Sequence, residues 1–113
     1  MAFLICAKKD AFKKEYGKAS DYIPDGEWHH IVEQQTVEKG INAGTSVYNS
    51  QNTVAISKNL HHEISRYYSS YNATYNMTFR QYVNTLSYEQ QYVEGLKVLS
   101  ELAKKLGETI IWL

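Results

Sequence analysis

A chain of 113 residues with 12 basic and 12 acidic side chains carries no formal net charge, so it reads as one domain, 1–113, without the basic excess usual in nucleic-acid binders. Its 43% hydrophobic and 21% charged residues are the proportions of a soluble globular protein and exclude disordered and fibrous classes. The single cysteine, Cys6, excludes an intrachain disulfide and a cysteine-rich zinc site, and no segment approaches the length of a membrane span.

The run Phe3-Leu4-Ile5-Cys6-Ala7 is too short for a signal peptide, and its lysines follow it rather than precede it. A soluble, reducing compartment is expected. Residues 7–17 read as a helix closed by Gly17. Over the first eighteen residues Lys8, Lys9, Lys13, Lys14 and Lys18 outweigh Asp10 and Glu15 by three charges, which fits a solvated helix face or a phosphate-steering patch. Residues 21–26, with the sole proline Pro24 and then Asp25-Gly26, make a turn. Residues 28–33 alternate imperfectly and contain Ile31 and Val32, which predicts a strand. Residues 34–50, rich in glycine and asparagine, predict a long functional loop with one helical turn. Residues 52–57 predict a second strand.

From Lys58 the period changes. Leu60, Ile64 and Tyr68 stand four apart, with His61 and Ser65 on the adjoining stripe, so a helix with His61 in its first turn is expected. Thr78 with Gln81 and Ser87 with Gln90 are capping-box pairs. They predict a short helix ending at Leu86 and a longer one to Leu106, the latter closed by Gly107. The tail Thr109-Ile110-Ile111-Trp112-Leu113 is strand-like. Ten tyrosines invite a base-stacking role, but those in helical segments are more simply core elements; Tyr67 and Tyr71 are the best stacking candidates.

The chemistry concentrates in residues 27–65. All four histidines fall there as two doublets, His29-His30 and His61-His62, with Asn52 between them. Imidazole is both a common metal ligand and the base nearest neutrality, and two elements contributing imidazoles suit phosphodiester hydrolysis on a single metal. A flat strand sends His29 and His30 to opposite faces. A twisted strand end lets one bind the ion while the other reaches the attacking water. His61 enters from the second element, and Asn52 can fix the tautomer of the base or simply serve as a turn residue.

Glu27-Trp28-His29-His30, Asn52 nine residues before His61, and the strings Asn52-Thr53-Val54-Ala55-Ile56 and His61-His62-Glu63-Ile64-Ser65 resemble the HNH, or His-Me finger, endonucleases. The likeness is closest to C-terminal toxin domains of LXG-type, Rhs and contact-dependent polymorphic toxins, and Ser87-Tyr88-Glu89-Gln90-Gln91-Tyr92 is similar to LXG-type tails. This resemblance implies an α+β fold with a small ββα-metal core and additional C-terminal helices. It implies an endonuclease, RNA slightly favoured over DNA, with His30 as general base and His29 and His61 on a metal ion. Glu27 would place a water or orient a histidine, or merely cap. His62 is a substrate contact or a bystander, and Arg66 is a better phosphate clamp than Arg80. One position departs from the pattern: Ser65 stands where the nuclease colicins carry a further histidine. The site is therefore poor in ligands for zinc, magnesium or manganese is equally suited, and metal-independent ribonuclease chemistry stays open. The implied partners are nucleic acid and a cognate immunity protein, with no membrane, for a monomer delivered within a larger toxin to the target-cell cytoplasm. The rivals are a non-catalytic nucleic-acid- or protein-binding module on the same scaffold, and a housekeeping or phage HNH enzyme.

Overall fold

The computed structural model describes the backbone of residues 5–6 and 9–113 and the side chains from Lys13 onward. The apolar run at 3–7, the helix start expected at residue 7 and the side chains of Lys8 and Lys9 lie wholly or partly outside the described residues. The architecture is α+β, with short antiparallel sheets against helices. In chain order the elements are β1 (Ile5–Cys6), α1 (Lys9–Tyr16), β2 (Gly26–His30), α2 (Gln35–Glu38), α3 (Gly44–Val47), β3 (Tyr48–Asn49), β4 (Thr53–Ser57) and α4 (Lys58–Ser69). They continue with β5 (Tyr71–Asn72), β6 (Met77–Thr78), α5 (Phe79–Val83), α6 (Tyr88–Leu106) and β7 (Ile111–Trp112). Single 3-10 turns at Ala19–Asp21 and Ser50–Asn52 precede β2 and β4.

The central sheet has the order β2-β4-β7 with both pairings antiparallel. Strand β4 lies in the middle because Thr53, Val54, Ala55 and Ile56 are all buried, so neither face carries a side chain that needs water. Its Val54 and Ile56 pack with Leu60, Ile64 and Tyr68 of α4 and with Val98, Leu99 and Ala103 of α6. The 4-residue spacing in α4 buries the stripe that its periodicity predicts, and the Ser57 hydroxyl caps the helix by accepting from the Leu60 N–H at 3.1 Å. Losing the side chain of any fully buried member of this core is worth about 2–5 kcal/mol.

Both predicted capping boxes are present, at Thr78/Gln81 and Ser87/Gln90, and Gly107 closes α6 with a φ of 66°. Three expectations shift. Helix α5 ends at Val83, not at Leu86, and residues 84–86 form a turn. The first strand spans Gly26–His30, not 28–33, because the Asn52 side chain takes over the polar backbone groups of Val32 and ends the ladder there. The 34–50 connection is also more ordered than one helical turn. It holds α2 and α3, and β3 pairs with β1. The buried Gln91 supports it from α6, its Oε1 accepting from Asn42 Nδ2 at 3.0 Å.

Candidate active site

Strand β2 separates its residues by the two-fold period of a strand. Glu27 and His29 face α4: Glu27 Oε1 lies 2.6 Å from His61 Nδ1, and the His29 and His61 rings meet edge-on with centroids 5.3 Å apart. Trp28 and His30 face the other way. The Trp28 indole donates to the Gly17 carbonyl at 3.1 Å, and the His30 ring stands perpendicular to Tyr48 with centroids 5.6 Å apart. Glu27 and His29 are held in register by Ile56 and Val54 of β4, and α4 starts one residue after that strand, which delivers His61 to the same face.

A carboxylate oxygen accepts, so the neutral His61 ring carries its proton on Nδ1, and its Nε2 has the free lone pair. His29 is only 5% exposed, and its Nε2 has no protein hydrogen-bond partner. Burial first, then the neighbouring His61 and His30, pushes its pKa down to about 3, so it stays a neutral imidazole through the physiological range. Such an imidazole can use its unmatched Nε2 to donate or accept a hydrogen bond, according to its tautomer, or to bind a metal ion.

A cavity of about 280 Å³ joins these groups, lined by His29, His30, His61, Glu33, Ser65 and Arg80 among others. His30 thus reaches it from the far side of the strand that carries His29. The hydrogen bonds of the Asn52 side chain go to backbone, not to an imidazole. Asn52 is fully buried, its Oδ1 accepting from the Val32 N–H at 2.8 Å and its Nδ2 donating to the carbonyls of Val32 and Val47, each at 3.0 Å. It staples the two ends of the 32–47 connection and positions β2, rather than fixing a tautomer. His62 is exposed and lies with Glu27, His61 and Ser65 along an adjoining shallow cleft. Arg66 points away, paired with Glu63 at 3.2 Å and 68% exposed.

Arg80, not Arg66, lines the histidine cavity. Its guanidinium grips the Glu33 carboxylate with Nε to Oε1 at 2.9 Å and Nη2 to Oε2 at 3.0 Å, while Nη1 donates to the Ser69 hydroxyl at 2.8 Å. Sequence reading missed Glu33 as a site residue and ranked Arg80 below Arg66. No local signal joins two residues 47 positions apart; only the Thr78 cap places Arg80 in the first turn of α5.

Among the described residues no group of three or more His, Cys, Asp or Glu side chains is placed to hold a metal ion. His29 and His61 supply two imidazoles, with Glu27 behind His61 as the carboxylate that orients a ligand. Two imidazoles fall short of the three or four protein ligands of zinc, and they lack the carboxylate oxygens that magnesium or manganese prefers. No helix among the described residues is long and apolar enough to cross a membrane. Comparison with protein-family models, with curated proteins and with solved structures finds no match to this chain.

Proposed function

We propose that the protein is an endonuclease that cleaves phosphodiester bonds in nucleic acid, built on a ββα-metal unit of β2, β4 and α4 and acting as an antibacterial toxin restrained by an immunity protein. The observation that carries the chemistry is the chain of contacts from Glu27 through His61 to the buried His29, opening on a cavity that His30 also lines. The toxin context and the HNH type rest on the motif resemblance.

In this reading His30 removes the proton from the attacking oxygen. Glu27 holds the His61 ring so that Nε2 faces the reacting phosphate. Where a divalent ion is bound, His29 and His61 would hold it, and it would supply positive charge beside the phosphate; internal attack on RNA does not need it. Arg80 keeps Glu33 from repelling the substrate, since its guanidinium neutralises that carboxylate at the cavity wall.

The small ligand set favours RNA over DNA. An RNA strand brings its own nucleophile in the 2′-hydroxyl, so base and acid imidazoles are enough for internal attack. Incubation of total RNA and of plasmid with the wild-type protein, with and without chelator, tests the proposal. RNA breakdown by wild type and none by His61→Ala is the expected result. Intact RNA and intact plasmid in every condition would leave a binding module on the same scaffold.

A further inference from the structure

On the other face of β2 lies a second, larger cavity of about 780 Å³, lined by Lys13, Lys14 and Lys18 together with Trp28, His30 and Gln34. The last three also line the histidine cavity, so the two spaces adjoin at the strand end. The three lysines are exposed, and their ammonium groups enter no ion pair among the described residues. Glu27 is the one carboxylate on the lining among the described residues, and it is turned to His61. Asp21, close by in sequence, accepts from the Lys18 backbone N–H. A chain of zero net charge thus gathers, among the described residues, three positive charges without an ion pair in one groove beside its imidazoles.

We propose that this groove binds the sugar-phosphate backbone of a nucleic-acid strand, with Lys13, Lys14 and Lys18 on phosphates flanking the one that reaches His30. The proposal rests on the nuclease reading for the identity of the polyanion. Lysines on flexible stems bind phosphates as point charges without reading sequence. They also supply locally the basic footprint that the overall charge lacks. The shared wall with the histidine cavity favours a strand over an acidic protein surface, because the strand has a phosphodiester to place beside His30.

The test is anisotropy of a labelled 2′-O-methyl oligoribonucleotide, which cannot attack itself, titrated with protein in chelator at several salt concentrations. For single strands log K falls with log salt by about 0.7 per phosphate neutralised, so Lys13→Gln/Lys14→Gln/Lys18→Gln should lower that slope by about 2. Affinity at low salt should drop more than about tenfold, with an unchanged circular dichroism spectrum. Equal slope and affinity in the variant would overturn the groove, as would a polyglutamate peptide of matched charge binding as tightly as the oligonucleotide. Turnover plays no part in this measurement. Lysine-dependent binding by a protein that cleaves nothing would sink the nuclease reading and leave the groove, whereas cleavage with lysine-independent binding would do the reverse.

Discussion

At the scale of single residues, His29 is the imidazole most withdrawn from water, at 5% exposed. Its pKa falls from 6.5 to about 3 on folding, so as pH drops the unfolded chain takes the proton first. This residue's contribution to stability is therefore complete above about pH 6.5 and is lost as the pH falls towards about 3, at about 1.4 kcal/mol per unit. Between about pH 7 and about pH 5 the urea midpoint of the wild type should fall in chelator-containing buffer, by an amount equivalent to about 2 kcal/mol from His29. His29→Gln should lose distinctly less over the same interval; an equal loss would show that His29 is not the buried titrating group. Ser65 belongs to the same scale. It stands four residues after His61 and lines the same cavity, so Ser65→His places a third imidazole one helical turn on. Zinc affinity measured by calorimetry should rise by about an order of magnitude or more. An unchanged affinity would mean that this side chain does not meet His29 and His61 across the cavity.

The elements were legible to different degrees, for physical reasons that individual residues show. Helices α4, α5 and α6 could be read because their signals are local: a 3.6-residue stripe at Leu60, Ile64 and Tyr68, hydroxyl caps at Ser57, Thr78 and Ser87, and a left-handed Gly107. The histidine doublets were legible as a pattern, but a sequence cannot say which imidazole of a pair faces which element. The register of Glu27 on Ile56 settles it by turning Glu27 and His29 towards α4. The role of Asn52 was not legible, because it depends on where the backbone of residues 32 and 47 returns. Nor was the close approach of α6 to the end of β2. Gly95 lies against Ile31 there, and an added Cβ would come within 2.4 Å of the Ile31 carbonyl oxygen. Helix propensity alone would reward Gly95→Ala by about 1 kcal/mol. The contact should reverse that sign and destabilise the protein by about 1–3 kcal/mol in denaturant unfolding. A more stable Gly95→Ala protein would contradict this packing of α6 on the strand that carries the histidines.

At the scale of the whole molecule, the radius of gyration of 13.8 Å is close to the ~13 Å of a compact chain of this length. Helices α4 and α6 share one core with β4, and β7 pairs with the other edge of that strand. They bury β4, so β2 is left at the edge with a histidine cavity on one side and the lysine groove on the other. An immunity protein that blocks the reaction directly would cover this edge, and acidic side chains are the complement that its lysines would steer. The central claim is that the imidazoles around β2 and α4 break phosphodiester bonds. It is tested most directly by incubating an end-labelled oligoribonucleotide and its DNA counterpart with wild type and His30→Ala and mapping the termini, with and without chelator. The account predicts RNA cleavage by wild type that leaves 2′,3′-cyclic phosphate and survives chelator, slowed about 10²–10⁴-fold in His30→Ala. Cleavage by His30→Ala at the wild-type rate would contradict the account, and chelator-sensitive DNA cleavage leaving 5′-phosphates with RNA untouched would contradict its choice of substrate.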